Sequence, residues 1–171
     1  MKKLPRDDRR AKYIATETEV DASELADHLA GRHHWVLTTT RRDGRPQMSL
    51  VSGGMLGDGR LAIATYPMRA KAANVRRSPQ ASILAMGESF NDAWIQVDGD
   101  ARVLDADPAS PDSEAALDAF VAYYRAISGE HPDWDEYRQA MIDQGKSMLV
   151  ITPTRWGPLS TGGFPPELFD D

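Results

Sequence analysis

The chain contains no cysteine. Disulfides, thiolate nucleophiles and cysteine-ligated zinc or iron–sulfur centres are thereby excluded. No run of about 18 apolar residues occurs, so no membrane-spanning helix is expected. The charged opening from Met1 to Asp8 has no apolar segment of the secretory kind, and a cytoplasmic location is the expectation. There are only four histidines, His28, His33, His34 and His131. His33 and His34 are adjacent, so on a strand they point to opposite faces and do not share a metal. The phosphate-binding Gly-x-x-x-x-Gly-Lys-Ser/Thr, the zinc-binding His-Glu-x-x-His and the nucleophile elbow Gly-x-Ser-x-Gly are all missing, and the glycines at 53–59 do not open a dinucleotide-binding helix. No metal site and no catalytic side chain is therefore expected. The bulk balance of 26 acidic against 20 basic residues, a net charge of −6, argues against general nucleic-acid binding.

One further absence is local. Between Gly59 and Gly87 there is no Asp or Glu, while Arg60, Arg69, Lys71, Arg76 and Arg77 all fall in that window. A purely basic island in an acidic chain points to a local anionic partner. Pro67 closes an apolar strand, Leu61 to Thr65, and good helix formers begin near Arg69. A helix that opens after a strand presents free N–H groups and a positive dipole end, where phosphate binds. Arg69 and Lys71 sit at that opening, with Asn74 one turn beyond Lys71. Two readings stand: a phosphate or carboxylate clamp, and a short surface helix with solvated cations.

The 171 residues, 41% hydrophobic and 27% charged, suit one globular domain. Residues 1–20 read as a mobile arm, 21–171 as a single domain, and 153–171 as an irregular tail rich in Pro and Gly. A first helix over Ala22–Ala30 has Asp21 as N-cap and Glu24 in capping-box position. Strands are expected at His34–Thr40, Gln47–Ser52, Leu61–Thr65, Ala81–Met86, Ala93–Leu104 (bent at Gly99) and Lys146–Thr152. Asp43-Gly44 and Gly57-Asp58-Gly59 mark hairpin turns, and Gly53-Gly54 a bulge or close backbone approach. Leu117, Phe120, Val121, Tyr124 and Ile127 form a helical stripe. In a second helix opened by Pro132, Trp134, Tyr137 and Met141 share a face. Antiparallel strands with two inserted helices predict a mainly β, α+β fold, a small Greek-key barrel.

Without reactive side chains, an enzyme of this sequence needs an organic cofactor to carry its chemistry. The basic cluster suits the cofactor's phosphate. Gln47 and Ser49, on one face of a neighbouring strand, suit a heterocycle; the competing reading is an ordinary polar outer face of a sheet.

Several segments carry a family resemblance. Arg42-Asp43-Gly44-Arg45-Pro46-Gln47-Met48-Ser49 resembles the first hairpin of the split-barrel flavin and deazaflavin oxidoreductases, the pyridoxamine-phosphate-oxidase-like group. The segment from Arg69 to Pro79 resembles that group's phosphate-binding Arg-x-Lys-x-x-Asn, and Val97 to Leu104 its glycine-containing strand. Tyr124 to Met141, including Gly129-Glu130-His131-Pro132-Asp133-Trp134, resembles a mycobacterial-type branch that uses the deazaflavin coenzyme F420. The likeness runs from about Trp35 to Pro153. It implies a split β-barrel and a homodimer with two cofactor sites at the subunit interface. It implies that Arg69, Lys71 and Asn74 hold the cofactor phosphate and that Gln47 and Ser49 lie near the ring. It also implies that the backbone of Ala64, Thr65, Tyr66, Pro67 and Met68 lines the ring edge, and that the partner adds residues around Trp94. The coenzyme's anionic polyglutamate tail would suit Arg76, Arg77 or other surface cations. The implied activity is hydride transfer from reduced F420 to an unsaturated small-molecule acceptor. The alternatives are an FMN-dependent oxidase or reductase, or a non-catalytic carrier of a flavin, haem or tetrapyrrole. The Arg-Leu-His element with which classical members bind substrate is replaced by Thr154-Arg155-Trp156-Gly157-Pro158, with no histidine after His131, so pyridoxamine phosphate is not expected as substrate.

Overall fold

The computed structural model describes residues 15–17, 20–89 and 92–161. In chain order the elements are β1 (Ala15–Glu17), α1 (Ala22–Leu29), β2 (His34–Thr40), β3 (Pro46–Ser52), β4 (Gly54–Met55), β5 (Leu61–Thr65), α2 (Ala70–Arg77), β6 (Gln80–Ala85), β7 (Ala93–Asp105), α3 (Ser113–Ser128), α4 (Trp134–Asp143), β8 (Ser147–Trp156) and β9 (Leu159–Thr161). The strands form one antiparallel sheet in the order β3-β2-β6-β7-β8-β5-β4, with β9 on β7 and β1 on β9. The two ends of that path are consecutive in sequence and meet at Gly53, so the sheet curls back on itself. β3 and β5 do not pair, and the curl stays open between them. This is the split barrel.

Local sequence explains the joints. Asp21 accepts from the N–H groups of Ser23 and Glu24, and Glu24 reaches back to the Asp21 N–H at 2.7 Å, completing the expected capping box. Gly44 and Gly59 take φ of +82° and +85° in the two hairpin turns. At Gly53 a Cβ would stand 1.9 Å from the indole of Trp35, which is fully buried and donates to the Arg32 carbonyl. The close approach expected there is real.

Two cores result. One fills the barrel, with Leu37, Leu61, Ile63, Ile83, Ile95, Val97, Leu149 and Ile151 pointing inward. The other lies between α3, α4 and the outer face of β5 and β8, around Ala62, Phe120, Met148 and Val150. β5 and β8 are therefore apolar on both faces.

Four expectations are corrected. The buried face of α3 is Ala116, Leu117, Ala119, Phe120 and Tyr123. Val121 and Tyr124 are only half-buried, because alanines let the helix sit close to the sheet and turn the stripe by one position. Asp133, not Pro132, caps α4, its carboxylate accepting from Asp135 and Glu136 N–H at 3.0 Å. β8 does not end at Thr152. It runs to Trp156 through a bulge that pairs Gly99 with Pro153 and Asp98 with Arg155, leaving Thr154 over. The expected arm and tail meet: Ala15–Glu17 pairs with Leu159 and Ser160. The rest of the arm, and the tail beyond Thr161, lie outside the described residues.

Candidate functional site

The basic island sorts into two groups. Arg60 pairs with Asp58 at 2.6 Å. Arg76 forks onto both oxygens of Asp105 at 2.7 and 2.8 Å and donates to the Pro67 carbonyl. Arg77 donates to the Thr40 carbonyl and to Asn74 Oδ1. These three hold the fold. Arg69, at the N-cap of α2, and Lys71, in its first turn, have no carboxylate partner among the described residues. Burial, and then the neighbouring Arg69 charge, hold the Lys71 ammonium below the usual lysine range.

A third cation joins them. Lys146, at the foot of β8, lies with its Nζ 5.1 Å from the centre of the Tyr66 ring, and the Arg69 guanidinium is 6.0 Å from the same ring. The pairing of Thr65 with Ser147 brings the end of β5 and the start of β8 together. Arg69 and Lys146 thus flank one ring, and neither makes an ion pair among the described residues, an arrangement that suits an anion.

β3 inverts the usual polarity of a sheet surface. Gln47, Ser49 and Val51 are half-buried, while Met48 and Leu50 on the opposite face are 66% and 84% exposed. Gln47 and Ser49 are thus not on an ordinary polar outer face. Thr39 donates to Gln47 Oε1 at 3.1 Å, and Gln47 Nε2 donates to Ser49 Oγ at 2.6 Å and to the Met48 carbonyl at 2.9 Å. Asn74 Nδ2 donates to Thr39 Oγ1 at 3.0 Å. One hydrogen-bonded chain thus ties α2, β2 and β3 together.

Each residue named from sequence can now be placed. Ala64, Thr65, Tyr66, Pro67 and Met68 form the end of β5 and the turn into α2, with Met68 85% exposed beside Arg69. Asn74, expected next to Lys71, is instead turned inward, 7% exposed, with both ends of its amide engaged. Trp94 pairs with Ser160 at the start of β7, the end opposite Asp105, so one chain does not bring it to the cations. Thr39 and Lys146 belong to the arrangement but were not singled out by sequence, and Arg77, expected as a surface cation for an anionic tail, is instead bonded to Asn74 and the Thr40 carbonyl. The alternation of β2 carried the signal for Thr39, an inward hydroxyl among apolar neighbours.

Two cavities open nearby. One of about 380 Å³ is lined by Thr38, Gln80, Ser82, Asp98 and Thr154 among others. One of about 420 Å³ lies between Pro67, Asp105, Ser110, Ile142 and Lys146. Neither is lined by Ser49, Arg69 or Lys71; Ser49 and Lys71 are half-buried and Arg69 is exposed.

A model of the pyridoxamine 5'-phosphate oxidase family matches residues 22–160. The chain belongs to that family. Its fold is the family's flavin-type split barrel, and the family includes oxidoreductases. A conserved hypothetical protein of Mycobacterium tuberculosis is similar in structure, with a TM-score of 0.64, 22% identity, and 86% of this chain and 95% of that one covered. A pyridoxamine 5'-phosphate oxidase-related, FMN-binding protein of Nostoc punctiforme follows at a TM-score of 0.55 and 17% identity, covering 79% and 78%. A structure described as an F420 reductase gives 0.51 and 17%, covering 77% and 94%. Among the described residues no helix is long and apolar enough to cross a membrane, and no group of three or more His, Asp or Glu could hold a metal.

Proposed function

We propose that this family member is an F420-dependent oxidoreductase of the cytoplasm that works as a homodimer on a small unsaturated acceptor. The observation that carries the reading is the pair of cations Arg69 and Lys146 against the Tyr66 ring, with Lys71 close enough to Arg69 to feel its charge and no ion pair made by any of the three among the described residues. They fit a phosphate followed by further negative charge. The resemblance of Tyr124–Met141 to the F420 branch favours the deazaflavin, and a structural neighbour described as an F420 reductase agrees with it.

When bound, the deazaflavin supplies the hydride. The protein's part is to hold and align. Arg69 and Lys71, with the α2 N–H groups, grip the phosphate, and Lys146 takes a neighbouring charge. Asn74 serves from behind, by fixing α2 against β2. The backbone from Ala64 to Met68 forms the ring's edge. Ser49 and Trp94 reach one site only from two subunits, which the apolar faces of Met48 and Leu50 suit as docking surface. Alignment of donor and acceptor carbons by such a frame lowers the barrier without an acid–base side chain.

The second reading keeps the site and replaces F420 by FMN, whose terminal phosphate the same cations suit. Titration of the purified protein with each cofactor decides between them. Tighter F420 binding supports the proposal, and FMN binding with none for F420 reverses it. Lys71→Ala should weaken cofactor binding by about 1–3 kcal/mol, the scale of a charged hydrogen bond. Unaltered binding returns Lys71 to the reading of a solvated surface helix.

A further inference from the structure

The chain of hydrogen bonds from α2 to β3 has a direction, and both of its ends fix it. Arg77 can only donate, so the Asn74 atom it meets at 3.0 Å is the carbonyl oxygen. The other end of that amide, Nδ2, therefore donates to Thr39 Oγ1. Having accepted there, the Thr39 hydroxyl turns its own proton to Gln47 Oε1. Gln47 is then left with its NH₂ toward Ser49 Oγ and the Met48 carbonyl. The Met48 carbonyl can only accept, which demands the same orientation independently. Ser49 Oγ accepts from Gln47, and its own proton has no partner among the described residues. Both N–H donors of the Gln47 amide are thereby used, so Gln47 has no donor left for a bound ring.

We propose that Ser49 is an obligatory hydrogen-bond donor to an acceptor atom, a carbonyl oxygen or ring nitrogen, of the bound cofactor's heterocycle. Its direction is set from Arg77 through Asn74, Thr39 and Gln47. A chain that begins on a guanidinium and ends on a hydroxyl proton favours whichever form of the ring carries more negative charge, the reduced form in a flavin or deazaflavin. Thr39 is a positioning residue in this scheme: it does not touch the ring but, together with the Met48 carbonyl, holds Gln47 in the orientation that leaves the Ser49 proton free. The inference rests on the cofactor reading above and assigns a role that reading leaves open.

The test is the midpoint potential of the protein loaded with whichever of FMN and F420 it binds. Ser49→Ala should lower the preference for the reduced form about tenfold, a shift of about 30 mV to more negative potential for a two-electron couple. Thr39→Val should shift it in the same direction, and Thr39→Ser, which keeps the hydroxyl, should restore it. Matched thermal midpoints for Ser49→Ala and the parent chain exclude a folding defect, and Ser49→Thr should behave as the parent. A loaded Ser49→Ala protein with the parent's potential overturns the inference and leaves the cofactor reading standing. A parent chain that binds neither FMN nor F420 overturns the cofactor reading and the inference with it.

Discussion

His28 shows what a single buried side chain does to this protein. It is 8% exposed, and its Nε2 has no hydrogen-bond partner among the described residues. Burial, and then the Arg32 charge, hold its pKa below the ordinary imidazole value. The unfolded chain takes up the proton near pH 6.5, whereas the folded one resists it to lower pH. Stability is therefore full above about pH 6.5 and falls as pH drops from there toward the lowered folded value. Urea midpoints between pH 7.5 and 5 should decline for the parent chain, and His28→Leu should flatten that decline; an equal slope in the variant would show that other groups set it. At this scale the sequence was half legible. Arg69 and Lys71 stood out because no acidic residue lies near them in sequence. Lys146 did not, because it joins them only through the pairing of β5 with β8. Asn74 fits a phosphate-binding spacing, yet its side chain faces inward, and spacing alone does not distinguish the two sides of so short a helix.

Elements were read best where the signal is local. The Asp21–Glu24 capping box and the Asp43-Gly44 turn each depend on a few adjacent residues, and each is present. The continuation of β8 past Pro153 was hidden, since a proline ordinarily ends a strand and only the bulge at Thr154 removes the conflict. The Ala15–Glu17 strand was hidden for a different reason: its partner lies at the far end of the chain. The joint between β3 and β4 makes the firmest prediction. A methyl at Gly53 would enter the Trp35 ring, so Gly53→Ala should destabilise by about 1–3 kcal/mol or more, through overpacking of a filled core. Gly57 is exposed, and a methyl added there would meet nothing within 4 Å, so Gly57→Ala should change stability by no more than about 0.5 kcal/mol. Chemical denaturation of the two variants side by side checks the pair, and equal effects would mean that Trp35 yields freely.

For the whole molecule, one barrel displays an apolar outer strip, a set of unpaired cations and Trp94 at the far end of β7. The proposed second copy would bring them to one site. Leu50, 84% exposed on β3, is the residue to challenge. Leu50→Glu should convert a dimer to a monomer in sedimentation velocity and weaken cofactor binding at the same time. A parent chain that sediments as a monomer at micromolar concentration would contradict the dimer.

The measurement that reaches the central claim most directly is a parallel titration with F420, FMN and riboflavin, the last of which has the ring but no phosphate. Cations that grip a phosphate predict riboflavin binding at least about tenfold weaker than FMN, from the loss of one or more charged hydrogen bonds, and F420 tightest of the three. Replacing both Lys71 and Lys146 by alanine should erase most of the difference between FMN and riboflavin. Riboflavin bound as tightly as FMN by the parent chain would show that Arg69, Lys71 and Lys146 hold no phosphate.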